Sequence, residues 1–173
     1  KEYENFCINI SKIAGNYVLE NFEGKFEIYS KDKRNNLVTE IDLNTQKIIV
    51  ENINKTYPNH AIVGEEDKLK NLRDSKYIWV IDPIDGTTNF VNGIPNFAIS
   101  IALLKDLEPI AGSIWIPWPN NEKSLIFSAS KNNGSRTNGT KLNLVEKLNQ
   151  SLDEGSASSY SSFTLESQTI PPP

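Results

Sequence analysis

The sequence predicts an α/β (α+β) fold, in which two helices pack on an antiparallel sheet. Two stretches, within residues 1–23 and 43–53, carry apolar residues at helical spacing. Short β-branched and aromatic runs separated by turn residues dominate from residue 77 to residue 129. A chain of 173 residues can bury one good core, so we expect one domain over residues 1–150.

The two helices are predicted near the start of the chain. In the first, apolar residues recur at steps of three and four before Gly24, which stands where a helix stop belongs; they are Tyr3, Phe6, Ile10, Ile13, Ala14 and Tyr17. A short strand is expected over residues 26–29. Thr39 or Asp42 is placed to cap the second helix. His60, next to a Pro-Asn turn, is interpreted as a surface or turn residue rather than a catalyst.

Strands fill the second half of this domain. Residues 97–104, 110–116 and 123–129 are apolar runs, separated by turn residues at 105–108 and 117–121. This order predicts an antiparallel meander, with a further strand over residues 141–145. The polar stretch 67–76 is predicted to be a mobile loop.

Two aspartates follow the apolar run 77–81, which is typical of a buried strand. Pro83 is expected to end the strand's ladder, and Gly86 permits a tight turn. Asp82 and Asp85 can converge across that turn, and like charges that converge need a cation between them. A second strand, at residues 61–64, delivers Glu65. Carboxylates suit Mg²⁺, and one His and one Cys in the chain disfavour zinc.

These motifs resemble the inositol monophosphatase family of Mg²⁺-dependent, lithium-sensitive phosphatases. The resemblance rests on Gly64-Glu65-Glu66 and on the run from Trp79 to Leu103, with Asp-Pro-Ile-Asp-Gly-Thr at its centre. More loosely, it extends from the first helix to about Leu144. It implies a layered αβαβα sandwich, of which this chain represents chiefly the N-terminal domain.

The resemblance also implies a set of metal ligands. Glu65, Asp82 and the backbone carbonyl of Ile84 would hold a first Mg²⁺, and Asp82 and Asp85 would hold a second. Glu65 would face a third, weaker site. Two or three ions are therefore expected.

The catalytic residues implied by the resemblance are Thr87, Asp42 and Glu65. Thr87, oriented by Asp42, would activate a water for in-line attack on a small phosphate monoester, without a phosphoenzyme. Asp85, Gly86 and Thr87 are expected to bind the substrate, because backbone N–H groups at a helix start can cradle a phosphate. Inositol monophosphate is the first expected substrate, ahead of fructose 1,6-bisphosphate and nucleotide bisphosphates.

Composition limits the partners that we expect. The net charge is −4 and the Lys and Arg residues are spread along the chain, which argues against a nucleic-acid polymer. Apolar runs are too short to cross a membrane. Cys7 is the only cysteine and no signal peptide is recognised, so we expect a cytoplasmic protein. A homodimer is implied by the family resemblance alone.

Two alternative functions remain open on the sequence. A haloacid-dehalogenase-type phosphatase has an Asp-x-Asp-Gly-Thr turn, one residue shorter than the Asp-x-x-Asp-Gly-Thr found here. A catalytically inactive or truncated pseudo-phosphatase, acting as a binding module, is the second alternative. It is motivated by the lack of a Trp-Asp pair, which in the family supplies a further metal ligand. The Ser/Pro-rich residues 151–173 are interpreted as a tail or as fragments of a missing C-terminal domain.

Overall fold

The structure is a computed structural model that describes residues 1–30, 37–64, 75–117 and 124–143. Residues Lys1–Leu142 form one compact unit. Within the described ranges, this unit contains helices α1 (Glu2–Asn21), α2 (Glu40–Thr56) and α3 (Thr87–Val91) and nine strands. The strands are β1 (Ile28–Ser30), β2 (Leu37–Thr39), β3 (Ala61–Gly64), β4 (Tyr77–Asp85), β5 (Ala98–Lys105), β6 (Glu108–Ile116), β7 (Leu125–Ser130), β8 (Gly134–Thr137) and β9 (Thr140–Lys141).

A seven-stranded sheet runs in the order β3-β4-β5-β6-β7-β8-β9. Every neighbouring pair from β4 to β9 is antiparallel, so the predicted meander is confirmed. The edge strand β3 pairs with β4 in parallel instead. This parallel edge corrects the predicted antiparallel sheet. A parallel pair needs a connection of a dozen or more residues, and 12 residues separate β3 from β4 in the sequence.

The two long helices cover one face of this sheet. α1 packs on β5, β6 and β7, and α2 packs on α1 and β4. Alternate residues of β5, β6 and β7 are buried, as expected when one face of a sheet meets the core. The core between the layers contains the fully buried Trp79 and Trp115. The α/β fold with two helices on a sheet is therefore as predicted.

Several predicted boundaries differ from the structure. α2 begins at Glu40, three residues before the apolar spacing used for the prediction, and its N-cap is Thr39, one of the two predicted caps. β4 continues through Pro83 to Asp85, whereas Pro83 was expected to end the ladder. The register shifts between Asp82 and Asp85, and a β-bulge of this kind tolerates a proline that could not donate to a regular ladder.

His60 lies in a turn as predicted, but its side chain is packed more closely than a surface residue's. The imidazole stacks between the rings of Tyr57 and Tyr77, with centroid distances of 4.9 and 4.5 Å. Its Nδ1 accepts a hydrogen bond from Trp79 Nε1 at 3.1 Å. Burial lowers the pKa of His60 below its ordinary value. The residue belongs to an aromatic cluster that joins α2 to β4.

None of the helices in the described part of the chain has the length and hydropathy needed to span a lipid bilayer. The predicted loop at 67–76 lies largely outside the described residues. Of the predicted strand at 141–145, residues 141–143 are described, and only Lys141 belongs to a strand, β9.

Candidate active site

The end of β4 carries the two aspartates that the sequence singled out. Asp82 pairs with Ser100 of β5, and Asp85 pairs with Ala98, two residues before Ser100 in the same strand. Two residues of β4 thus fill a gap that one residue fills on β5, which defines the bulge. Asp85 is exposed, whereas Asp82 is half-buried and its Oδ1 is buried, so solvent reaches Asp85 more readily than Asp82.

Gly86 turns the chain from β4 into α3. Its φ of 95° and ψ of 34° are left-handed, a conformation that glycine adopts without steric cost. The Gly86 carbonyl accepts hydrogen bonds from the backbone N–H groups of Asn89 (2.9 Å) and Phe90 (3.1 Å). A short helix therefore starts at Thr87, which is the condition under which a phosphate cradle at this turn was expected.

The first turn of α2 supplies the buried carboxylate of Asp42, which is 2% exposed. Asp42 Oδ2 accepts a hydrogen bond from the Thr39 backbone N–H at 2.8 Å and a second, short one from the Thr39 hydroxyl. Thr39 Oγ1 in turn accepts from the N–H groups of Ile41 and Asp42. This reciprocal arrangement is a capping box, and it fixes the orientation of the Asp42 carboxylate.

The other oxygen of Asp42 reaches the turn after β4. Thr87 Oγ1 lies 2.9 Å from Asp42 Oδ1 and 3.0 Å from the backbone carbonyl of Ile84. Both partners are acceptors, so the single hydroxyl proton of Thr87 points towards them. The lone pairs of Thr87 Oγ1 consequently remain available to accept a hydrogen bond from another molecule.

Glu65, a predicted metal ligand and catalytic residue, lies outside the described residues, as does its neighbour Glu66. Gly64 precedes Glu65 in the chain and pairs with Ile81, which precedes Asp82. The structure therefore brings the end of β3 level with Ile81, one residue before Asp82.

The donor atoms at the end of β4 agree with magnesium chemistry. Two carboxylates from the bulge and the backbone carbonyl of Ile84 are all hard oxygen donors, which Mg²⁺ prefers together with water and phosphate. Within the described ranges no group of three or more His, Cys, Asp or Glu side chains is close enough to bind a metal ion. The described donors therefore fit Mg²⁺ by type.

Sequence reasoning named Thr39 as a possible cap of α2 but missed that it also holds the carboxylate of Asp42. Its role in holding Asp42 shows only as the Thr-x-x-Asp spacing of a capping box, which is common at helix starts and says nothing about Thr87. The contact between Asp42 and Thr87 joins residues 45 positions apart, so it was expected from the family resemblance alone.

Comparison with known proteins supports the same family. The sequence model of the "Inositol monophosphatase family" matches residues 1–170, which extends beyond the limit near Leu144 drawn from the motifs. The protein named Nus factor SuhB of Pasteurella multocida is 35% identical over 144 residues, covering 83% of this chain and 52% of that protein.

Solved structures are similar as well. An IMPase from Thermotoga maritima has a TM-score of 0.72 and 31% identity, over 82% of this chain and 53% of that one. An IMPase/NADP phosphatase in complex with Mg²⁺ and phosphate is similar in fold, with a TM-score of 0.66 and 24% identity over 78% of this chain and 49% of that one.

The chain spans about half the length of the curated relatives that it matches. The family model matches nearly the whole chain, and the curated relative is 35% identical to it. The chain belongs to the inositol monophosphatase family.

Proposed function

We propose that this chain carries the N-terminal part of a Mg²⁺-dependent phosphatase that hydrolyses a small phosphate monoester. The observation that carries the proposal is the hydrogen bond between Asp42 and Thr87, formed beside the bulge that presents Asp82 and Asp85. Inositol monophosphate is the first proposed substrate, ahead of fructose 1,6-bisphosphate and nucleotide bisphosphates. Family membership supports the reaction type more strongly than it supports the substrate.

The proposed ligands of the metal ions are those expected from the resemblance. Glu65, Asp82 and the carbonyl of Ile84 would hold the first ion, Asp82 and Asp85 would hold the second, and Glu65 would face a third. Bound Mg²⁺ would neutralise phosphate oxygens and lower the pKa of a nearby water. The exposed Asp85, with Gly86 and Thr87, borders the space in which the substrate phosphate is proposed to bind.

Thr87 and Asp42 handle the proton in this proposal. Thr87 Oγ1 accepts a hydrogen bond from the attacking water while its own proton is held towards Asp42 Oδ1. Asp42 cannot rotate away, because its other oxygen is fixed by the Thr39 N–H and hydroxyl. A water activated in this way attacks phosphorus directly, and the alcohol of the substrate leaves without a covalent enzyme intermediate.

Phosphate release from inositol monophosphate, measured with and without Mg²⁺, tests the proposal. We expect Thr87→Ala to lower kcat by about 10²- to 10⁴-fold, the usual contribution of a positioned proton acceptor, and Thr87→Ser to retain most activity. Asp82→Asn should abolish the phosphate release that depends on Mg²⁺. Asp106→Asn is a matched control, because Asp106 follows the other end of β5. Equal rates for the wild type, Asp82→Asn and Thr87→Ala would contradict the proposal.

A binding module without catalysis is the second candidate. The sequence has no Trp-Asp pair, and several relatives are named Nus factor rather than phosphatase. Because of those names, the expectation that the protein has no nucleic-acid partner stays a prediction. Retention of the protein by RNA or DNA at 150 mM salt, together with no phosphate release from any of the substrates, would favour this candidate.

Three further properties are proposed on the same basis. Lithium should inhibit phosphate release, the protein should act in the cytoplasm, and the chain should form a homodimer. Lithium titration of the phosphate-release rate, cell fractionation and analytical ultracentrifugation test these three properties in turn.

A further inference from the structure

The turn after β4 packs against the segment of chain that leads into β5. A Cβ atom placed on Gly86 would lie only 3.0 Å from the Asn96 carbonyl oxygen, so the bare Cα of Gly86 is close to the backbone of this segment. The position of the segment therefore limits the conformation that Gly86 can adopt. Thr87 follows Gly86 directly and carries the hydroxyl that bonds to Asp42.

Asn89, in the middle of α3, binds to both sides of this contact. Its side-chain Nδ2 donates a hydrogen bond to the Asn96 carbonyl oxygen at 2.7 Å, and its backbone N–H donates to the Gly86 carbonyl oxygen at 2.9 Å. Its own carbonyl oxygen accepts from the Ile94 N–H at 2.9 Å. One residue thus links the Gly86 turn, α3 and the segment that leads into β5.

Another contact, which is apolar, also holds α3. The buried ring of Phe90 packs on the rings of Phe22, Phe26 and Phe97, with centroid distances of 5.5, 5.1 and 5.2 Å. Packing of this kind keeps α3 against the core, whereas a hydrogen bond also fixes a direction between two groups. We therefore expect the Asn89 amide to fix how α3 lies relative to the Gly86 turn.

We propose that Asn89 is a positioning residue for Thr87. Its side-chain amide holds the Asn96 carbonyl against the Gly86 turn and so fixes the first residue of α3. The Thr87 hydroxyl is thereby kept directed towards Asp42. The inference deepens the proposed function and rests on it, because Thr87 acts there on the attacking water. It assigns to Asn89 no contact with a substrate or a metal ion.

The chemistry of the side chain suits this role. A backbone carbonyl only accepts hydrogen bonds, so its partner must donate, and the NH₂ group of asparagine does so. An aspartate of the same size would place a negative oxygen against the Asn96 carbonyl oxygen and would repel it. The bond lies near solvent, where water competes for both groups, so we expect it to affect local geometry more than the stability of the whole chain.

The test is phosphate release at saturating Mg²⁺, from whichever proposed substrate the wild type hydrolyses fastest. We expect Asn89→Ala to lower kcat by about 10- to 100-fold and to change KM less, because a displacement of about 1 Å can cost 10²-fold in rate. Asn92→Ala is the matched control. Asn92 Nδ2 also donates to a backbone carbonyl, that of Thr88, at 2.7 Å, and this variant should keep the wild-type kcat. Equal kcat values for the two variants would overturn the proposal.

Asn89→Asp keeps the size of the side chain but removes the donor. It should lower kcat at least as much as Asn89→Ala, and a wild-type kcat in this variant would overturn the proposal. Urea unfolding should give similar midpoints for both Asn89 variants and for Asn92→Ala. A fall in kcat that only follows a fall in the folded fraction would also overturn the positioning role.

Amide hydrogen exchange in EDTA supplies a readout that needs neither metal nor substrate. The Phe90 N–H donates to the Gly86 carbonyl oxygen at 3.1 Å and so reports on the turn. It should exchange about 2- to 10-fold faster in Asn89→Ala than in the wild type or Asn92→Ala, the change expected for the loss of one hydrogen bond. Equal exchange in all three would show that the amide does not hold the turn, which would overturn the proposal.

A double-mutant cycle tests whether Asn89 acts through Thr87. In the Thr87→Ala background, Asn89→Ala should lower kcat no further. Full additivity of the two losses would overturn the proposal. If Thr87→Ala lowers kcat while Asn89→Ala behaves like Asn92→Ala, this inference fails and the proposed function stands. If the wild type releases no phosphate from any proposed substrate, both fail.

Discussion

At the level of single residues, the geometry of the site depends on Gly86. Its left-handed backbone is unfavourable for any other residue, and its Cα is also crowded. A Cβ atom at this position would meet the Asn96 carbonyl oxygen at 3.0 Å and Phe97 Cα at 3.3 Å. Both atoms belong to the backbone and cannot move aside cheaply. Gly86 therefore combines a conformational requirement with a steric one.

Gly86→Ala should destabilise the chain more than Gly93→Ala. Gly93 has a similar left-handed backbone, with φ of 69°, but nothing lies within 4 Å of its added Cβ. Gly93→Ala should therefore lower the free energy of unfolding only by the cost of a left-handed backbone, about 1–2 kcal/mol. Gly86→Ala should lower it by more than this. Urea unfolding of both variants measures the difference. Equal losses would mean that the turn relaxes away from Asn96 and Phe97.

At the level of elements, α1 is tied to the far strands by a buried carboxylate. Glu4, 2% exposed, accepts hydrogen bonds from the hydroxyl groups of Ser128 (3.0 Å) and Ser130 (2.6 Å) and from Arg136 Nη1 (3.0 Å). Burial raises the pKa of Glu4, but the hydrogen bonds from the serines and the charge of Arg136 outweigh it and hold the pKa below its ordinary value.

This network predicts a pH dependence of stability. Because the pKa of Glu4 is lower in the folded chain, the carboxylate stabilises the fold above the ordinary pKa of 4.5, and this contribution is lost as the pH falls through the folded value. Near pH 7, Glu4→Gln should lower the free energy of unfolding by about 1–3 kcal/mol. Below pH 4.5 the difference from the wild type should shrink. Urea unfolding at pH 3 to 7 measures both.

Glu108→Gln is the control for this effect. Glu108 pairs with Lys131 at 2.7 Å, but both side chains are more than half exposed, so solvent screens the pair. Its stability profile should follow that of the wild type. A Glu4→Gln profile parallel to the wild type from pH 3 to 7 would show that the Glu4 carboxylate does not couple to folding.

The elements differ in how well the sequence predicts them. The long helices and the strands β5 to β7 follow from apolar periodicity, which is a local property. Thr39 was predicted as a cap of α2 from its residue type and not from periodicity. The passage of β4 through Pro83 was not predicted, because a bulge interrupts the periodicity. The link from Glu4 to Arg136 spans 132 residues, and no local pattern reports it.

At the level of the whole molecule, the candidate site also combines parts that are local in sequence with parts that depend on long-range packing. The turn with Asp82, Asp85 and Gly86 was recognised because its residues are close in sequence. The packing of the Gln46 side-chain amide over the Cα of Gly64 was not recognised, because it depends on how α2 lies across the sheet. The site is thus a local motif whose geometry is set by packing between layers, and packing of that kind appears only in three dimensions.

The sheet has a second face, which the described residues leave uncovered. Val80, Ile114 and Phe127 point away from the helices and are 41%, 46% and 36% exposed. A pocket of about 320 Å³ lies on this face, lined in part by Ala102, Ile114 and Phe127. Adjacent exposed apolar side chains of this kind are uncommon on a monomeric protein.

We therefore expect this face to bind the apolar dye ANS in the native chain. Replacing Phe127 and Ile114 by serine should reduce the dye fluorescence by about half or more, because both residues line the exposed pocket. Leu43→Ser is the matched control, since Leu43 is 50% exposed but lies on α2, and it should leave the fluorescence unchanged. Weak dye binding that is insensitive to all of these changes would mean that chain outside the described residues, or a second copy, covers the face. Sedimentation velocity of the same variants separates these two outcomes, because only coverage by a second copy makes the mass depend on Phe127 and Ile114.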